Sequence, residues 1–173
     1  MEPAWDYDAE AAWPGDDAVD VIGIDVYDQS WKPDTYPIPA DATPEERRRR
    51  QERAWTLKTG SAESFGLPWW PAFAKRHGNQ PLAVCEWGVC TREDGHGGGD
   101  DPLFVERMAD FVLDPANNVL FHCYFDVGAP DGNHQLVPDG KNEVRFPGSS
   151  AAFHKRVARP GAPAVPPPFR PLW

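Results

Sequence analysis

The segment PLAVCEWG, residues 81–88, ends an apolar run on a single carboxylate, Glu86, followed by Trp87 and Gly88. A carboxylate in a buried strand costs several kcal/mol unless it is hydrogen-bonded or paired. The pattern leaves two interpretations open. Glu86 is either a catalytic acid or a structural acid that fixes the register of the strand or caps a neighbouring helix.

Two other apolar runs also carry polar side chains near their C-terminal ends. In VDVIGIDVYD, residues 19–28, these side chains are Asp25 and Tyr27. In NVLFHCYFD, residues 118–126, they are His122, Tyr124 and Asp126. Because successive side chains of a strand point to opposite faces, the pattern predicts that each strand turns its polar groups to one face.

The same alternation groups Glu86 with Leu82 and Val84, opposite Trp87. We interpret Asp25 as a hydrogen-bond partner inside the fold rather than a chemical group. We interpret His122 as a core histidine whose ring is hydrogen-bonded, rather than as a catalytic residue.

Four helices are predicted to alternate with these three strands. Thr43-Pro44-Glu45-Glu46 is a capping box with proline at the first helical position, so a helix should run from there to about Lys58. The others are predicted over Pro68–His77, ending at Gly78, over Pro102–Leu113, and over Ser149–Val157.

Strands that alternate with helices predict an α/β fold with a parallel sheet. Polar groups at the C-terminal ends of strands suit a (β/α)₈ barrel, although an open doubly wound sheet also places its sites there. The chain contains neither G-x-G-x-x-G nor G-x-x-x-x-G-K, and the glycine run 97–99 reads as a flexible loop. Residues 159–173, rich in proline, are predicted to form an extended tail.

Composition excludes several classes of partner. The 173 residues carry a net charge of −10, which argues against nucleic acid, and no apolar stretch is long enough to span a membrane. Three cysteines make no complete disulfide framework. Pairing of Cys85 with Cys90 is conceivable, but buried thiols are favoured. The many aromatic rings are compatible with sugar stacking.

Three segments together resemble the C-terminal part of the glycoside hydrolase family 26-like enzymes, which are β-mannanase-type hydrolases with a (β/α)₈ barrel. The segments are WPGDDAVDVIGIDVYD, GLPWWPAFAKRHGNQPLAVCEWG and NVLFHCYFD, and the similarity covers about residues 11–158. The resemblance implies strands six, seven and eight of such a barrel with their helices. It assigns residues 1–158 to that partial catalytic domain.

The resemblance also implies roles for residues. Glu86 matches the nucleophile of a retaining glycosidase, and Tyr27 matches an aromatic residue that hydrogen-bonds that nucleophile. Trp31 would be a stacking platform for a sugar, or else core packing beneath its loop. The remaining residues expected near the substrate are Trp87, Tyr124 and Asp126. No metal or organic cofactor is implied, and the substrate would be a β-linked polysaccharide such as mannan.

The acid/base glutamate of this family lies on strand four, in a His-Glu-x-Asn-like segment that this sequence lacks. The chain is therefore expected to begin after strand five and to be inactive in isolation. Truncation of a longer gene is the favoured explanation for the missing half. The alternatives are a complementary half-barrel chain, self-association of two half-barrels, and a degraded remnant without activity. Members of the family are typically exported, so the resemblance implies an extracellular protein. With no signal peptide in the sequence, a genuine start at Met1 would imply a cytoplasmic one.

Two alternatives remain open from sequence. The chain could be a carbohydrate-binding remnant without catalysis, in which exposed tryptophans stack on sugars; the candidates are Trp31, Trp69, Trp70 and Trp87. It could also be an unrelated α/β protein in which Glu86 is structural.

Overall fold

The three apolar runs form one parallel sheet. The computed structural model describes residues 9–60, 66–136 and 145–157. Strands β1 (Ile22–Tyr27), β2 (Leu82–Gly88) and β4 (Val119–Tyr124) pair in parallel in the order β1-β2-β4. The α/β class with a parallel sheet is therefore confirmed. The predicted tail at 159–173 lies outside the described residues.

The helices begin and end within two residues of the predicted positions. They are α1 (Pro44–Thr59), α2 (Trp69–Arg76), α3 (Pro102–Leu113) and α4 (Pro147–Arg156). Thr43 Oγ1 accepts a hydrogen bond from Glu46 N at 3.2 Å, while the Glu46 carboxylate pairs with arginines of the next turn instead of completing the capping box. Asp101 caps α3 in the same way, ahead of proline at the first helical position.

A second, smaller sheet lies at the C-terminal ends of the parallel strands. Its strands are β3 (Thr91–Arg92), β5 (Gly128–Ala129) and β6 (Gly132–Asn133), antiparallel in the order β3-β6-β5. A single 3₁₀ turn, Pro115–Asn117, links α3 to β4. Two-residue strands carry no periodic signal, which is why sequence alone did not predict this sheet.

One face of the parallel sheet packs against the helices. Ile24, Val84 and Trp87 belong to a buried cluster that also contains side chains of α3 and α4. The members from α3 are Phe104, Val105, Met108 and Val112. Ile22 and Leu82 pack on α2 in a second cluster. The hydrophobic core therefore lies between the sheet and its helices.

A β-bulge in β2 corrects the predicted alternation of side chains. The register pairs Ile24 with Val84 but Asp25 with Glu86, so Cys85 is an extra residue. An extra residue shifts every later side chain by one position. The prediction that Val84 and Glu86 share a face is therefore wrong: Val84 is buried among the helices, and Glu86 lies on the opposite face with Tyr27.

That opposite face, which we call the open face, is not covered by any helix within the described residues. Gly23, Asp25 and Cys85 are exposed on it, as are Phe121 and Cys123 of β4. Parallel sheets are normally covered on both faces. The expectation of buried thiols holds only for Cys90, because Cys85 and Cys123 lie on the open face, and all three cysteines are unpaired. None of the helices in the described ranges combines the length and apolar character needed to cross a membrane.

Candidate functional site

The centre of the candidate site is a hydrogen bond between two neighbouring strands. Tyr27 is the last residue of β1, and Glu86 lies near the end of β2. The Tyr27 hydroxyl donates to Glu86 Oε2 at 2.5 Å, and both side chains are half-buried. Because β1 and β2 are parallel, their C-terminal ends meet at one edge of the sheet, which brings these two groups together.

The surroundings of Tyr27 keep its phenol protonated. Phe125 and His134 pack edge-on against the ring, with centroid distances of 5.9 and 5.1 Å. Burial raises the pKa of Tyr27 well above its ordinary value, and the hydrogen bond to Glu86 and the nearby carboxylates of Asp25 and Asp131 raise it further. Tyr27 is therefore a permanent donor to the Glu86 carboxylate near neutral pH.

The second oxygen of Glu86 remains available. Within the described part of the chain no donor reaches Oε1, so that oxygen is free to accept a bond or attack a substrate. Asp25 is the register partner of Glu86 and is exposed on the same face. The site therefore presents a half-buried carboxylate, a neutral phenol and a second carboxylate to the open face.

His134 is a site residue that the sequence did not reveal. It follows β6, is 3% exposed, and its ring packs on Tyr27 and Phe125. Its Nδ1 lies 3.1 Å from the carbonyl oxygen of Val89, which makes Nδ1 the donor and leaves Nε2 unprotonated in the neutral ring. Burial lowers the pKa of His134, so the ring is neutral at pH 7. Since the small antiparallel sheet positions it, no strand periodicity pointed to it.

Trp31 forms an exposed aromatic platform beside the site. Its side chain is 46% exposed, and its ring stacks on His96 at 5.5 Å with an interplanar angle of 29°. The Arg92 guanidinium lies 5.1 Å from the ring centroid. A tryptophan that is nearly half exposed offers aromatic surface that suits the apolar face of a sugar. The alternative of core packing does not fit this exposure.

A groove of about 540 Å³ links this platform to Tyr27. Residues of β1, of the end of α1 and of the start of α2 line it. Asp25, Tyr27 and Trp31 line it, together with Lys58 and Trp70. The groove is therefore continuous from the middle of β1 to the aromatic platform.

Two of the other predicted substrate residues, Trp87 and Tyr124, lie on the helix side of the sheet. Trp87 is 0% exposed in the helix-side core, where its Nε1 donates to His122 Nδ1 at 3.2 Å. The Tyr124 hydroxyl donates to His134 O and accepts from Val89 N, at 3.0 and 3.3 Å. Since the bulge moves Trp87 to the helix side, its ring has no open face for a ligand.

Asp126 and His122 make hydrogen bonds that hold neighbouring segments of the fold together. Asp126 Oδ1 accepts a hydrogen bond from Leu136 N at 2.6 Å, which fixes the segment leading away from β6. His122 accepts from Trp87, and burial lowers the pKa of its imidazole. The interpretation of His122 as a core histidine agrees with this geometry.

The described residues contain no group of three histidine, cysteine, aspartate or glutamate side chains that could hold a metal ion. A comparison with models of known protein families gives no match, and a comparison with curated proteins gives none either.

Proposed function

We propose that this chain carries the nucleophile of a retaining glycoside hydrolase and corresponds to strands six to eight of a (β/α)₈ barrel. The observation that supports this most is the hydrogen bond from Tyr27 to Glu86 at the C-terminal ends of adjacent parallel strands. Barrels of this kind assemble their catalytic groups at that end. A carboxylate nucleophile needs an aligned, ionised oxygen, and the Tyr27 phenol provides the alignment.

In the proposed reaction Glu86 attacks the anomeric carbon of a β-linked sugar. A bond forms between one carboxylate oxygen and the anomeric carbon while the bond to the leaving oxygen breaks, and the leaving group departs with the electron pair. Water later hydrolyses the glycosyl–enzyme ester. The substrate class is a β-linked polysaccharide such as mannan, and the proposed step uses no metal or organic cofactor. The proposal implies a protein that works outside the cell.

Retaining hydrolysis also requires an acid/base carboxyl about 5–5.5 Å from the nucleophile. We assign this group to a complementary half-barrel rather than to the residues around Glu86. Two features of the described residues support such a partner: one face of the parallel sheet is bare, and β1 and β4 have no further strand paired to their outer edges. The isolated chain should then cleave natural polysaccharides very slowly or not at all.

The open face predicts self-association when the partner is absent. Phe121 is 47% exposed there, on an edge strand, and such surfaces invite edge-to-edge pairing. Replacing Phe121 with serine should shift the sedimentation profile towards monomer at micromolar concentrations. Leu113→Ser is the matched control, since Leu113 is 45% exposed at the end of α3, away from this face. A wild-type chain that sediments as a monomer at all concentrations would contradict the proposed partner.

Covalent trapping of Glu86 tests the proposed function. A 2,4-dinitrophenyl β-mannoside or β-glucoside has a leaving group that needs no protonation, so the first step depends on the nucleophile alone. The expected result is one glycosyl adduct per chain, on the peptide that contains Glu86, by intact-mass and peptide mass spectrometry. Glu86→Gln should abolish the adduct because an amide is a far weaker nucleophile.

The pattern of labelling also separates the alternatives. An adduct that persists in Glu86→Gln would show labelling at another nucleophile and contradict the assignment. If no adduct forms but manno-oligosaccharides change the fluorescence of wild type and not of Trp31→Ala, the chain is a binding remnant. If neither signal appears, Glu86 is a structural acid.

A further inference from the structure

We propose that Asp28 and Asp101 share a single proton and that this proton locks the loop 96–100 onto the end of β1. The two carboxyl groups lie outside the Tyr27–Glu86 site and take no part in the proposed hydrolysis. The inference therefore does not depend on the proposed function. It concerns a pH-sensitive pair of buried acids: Asp28, which follows Tyr27, and Asp101, which caps α3.

The geometry requires a proton between the two acids. Asp28 and Asp101 are each 1% exposed, and their side chains hydrogen-bond one another. Two ionised carboxylates cannot donate to each other, so one of them must be protonated. The Tyr36 hydroxyl donates to Asp28 Oδ1 at 2.8 Å, while Asp28 Oδ2 is buried without any other donor in the described chain. Oδ2 is therefore the oxygen that receives the Asp101 proton.

The charges around the pair balance only when that proton is present. Lys58 of α1 faces Asp28 and Asp101, and its ammonium donates to the Gln29 carbonyl at 2.7 Å. Burial lowers the pKa of Lys58, and the charges of the nearby acids oppose that shift, so the ammonium depends on a negative charge beside it. Burial and the nearby acids raise the pKa of the Tyr36 phenol and bring that of the Cys90 thiol to about 12, so both stay neutral. One shared proton leaves one negative charge opposite one lysine. Loss of the proton would leave an uncompensated buried charge, which is costly.

Titration of the pair follows from this arrangement. Burial, followed by the charge of Asp28, raises the pKa of Asp101 from its ordinary value of 3.8 to about 8, and burial also raises the pKa of Asp28. The folded protein therefore retains a proton that the unfolded chain releases near pH 4. The stability that this proton provides is fully present below pH 4 and is lost as the pH rises to about 8.

The glycine loop packs directly against Asp28 of this pair. Gly98 N donates to the Asp28 carbonyl at 3.0 Å, and Gln51 of α1 donates to the carbonyl oxygens of Gly98 and Asp100. A Cβ atom at position 98 would overlap Asp28 Oδ2, so only glycine lets the backbone pass this close. The run 97–99 is thus packed on the carboxyl pair instead of being the flexible loop that its composition suggests.

The loop carries His96, on which Trp31 stacks. Ser30 N donates to the His96 carbonyl at 3.0 Å, and Gln29 and Gly97 form an antiparallel bridge. Release of the loop at high pH would therefore also release the support of the aromatic platform. The protonation of the buried acids is in this way coupled to the position of His96 and Trp31 at the mouth of the site.

Asp101→Asn tests the shared proton. An asparagine still caps α3 and permanently donates to Asp28 Oδ2, so it mimics the protonated acid. The melting temperature of wild type should fall relative to Asp101→Asn by about 3–5 °C per pH unit between pH 4 and 8. Above pH 8 the difference in melting temperature between the two proteins should stay constant. Asp114→Asn is the matched control, because Asp114 caps the 3₁₀ turn by a bond to Ala116 N but is exposed and has no carboxyl partner.

Infrared spectroscopy of the wild type tests the same point without any variant. In D₂O at neutral pD the spectrum should contain the carbonyl band of a protonated carboxylic acid, which disappears above pD 8–9 and is absent from Asp101→Asn. Hydrogen exchange at residues 96–100, corrected for intrinsic rates, should accelerate over the same range in wild type alone. Absence of the band at neutral pD, or parallel melting profiles of wild type and Asp101→Asn, would overturn the shared proton. Unchanged exchange despite titration would overturn the lock.

Discussion

Replacing Tyr27 with phenylalanine should slow labelling of Glu86 by the dinitrophenyl glycoside by about 100-fold. Phenylalanine keeps the ring between Phe125 and His134 but removes the 2.5 Å hydrogen bond to Oε2. Misplacement of a reacting group by about 1 Å is enough for a loss of this size. The measurement is the rate of appearance of the glycosyl adduct by mass spectrometry at saturating reagent, under conditions in which both proteins are folded.

Tyr124→Phe is the control for this prediction. Its hydroxyl also makes interstrand hydrogen bonds, to Val89 N and His134 O, but it lies on the helix side and does not contact Glu86. The variant should lose stability, about 1–3 kcal/mol for the groups left without a partner, and still label at close to the wild-type rate. Equal slowing in Tyr27→Phe and Tyr124→Phe would show that labelling responds to general loosening of the sheet. Tyr27 would then have no specific role in aligning the nucleophile.

The hydrogen bond between Tyr27 and Glu86 shows what the alternation of strand side chains can predict and what it cannot. The sequence placed each residue at the C-terminal end of a parallel strand, and the structure brings them together there. Because Val84 is buried on the helix side, strict alternation from it would put Glu86 there too, opposite Tyr27. The bulge at Cys85 returns Glu86 to the open face. A bulge depends on how two strands pair, so a single strand's sequence does not reveal it.

The elements themselves were predictable because their signals are local. Thr43-Pro44 and Asp114-Pro115 mark a helix start and a helix end, and both act as expected in the structure. Contacts between distant segments carry no such signal. Asp28 follows β1 and Asp101 caps α3, so no local pattern connects these two acids, and His134 contacts Tyr27 from the end of the small antiparallel sheet.

The exposure of apolar side chains on β4 likewise depends on how the strand is packed and paired, and not on its composition. Apolar residues of a parallel strand are normally buried on both faces, which is the reason that such strands read as continuous apolar runs. In β4 that reading fails for Leu120 and Phe121, which are 61% and 47% exposed. β4 has the sequence of a strand that is covered on both faces, but within the described residues it lies at the edge of the sheet. This difference is the physical basis for proposing a partner on this side.

Trp87→Ala should destabilise the fold more than any other single change argued for this chain, by about 3–5 kcal/mol. Trp87 is fully buried and packs against Tyr124, Phe104 and Phe153, so it joins β2 to β4, α3 and α4. Alanine would leave a large cavity there and remove the donor to His122 Nδ1. The measurement is urea unfolding followed by far-UV circular dichroism, in which the midpoint should fall by about 1–3 M for a slope typical of this size.

Trp31→Ala provides the contrast that separates core packing from ligand stacking. Trp31 is nearly half exposed, and the ring contacts described for it are with His96 and Arg92 at the mouth of the site, so its removal should cost less than about 1 kcal/mol. Trp87 and Trp31 were both expected near substrate from sequence, and unfolding distinguishes them without any ligand. A small loss for Trp87→Ala would mean that β2 does not turn this ring into the core, and the bulge that brings Glu86 to Tyr27 would then be wrong as well.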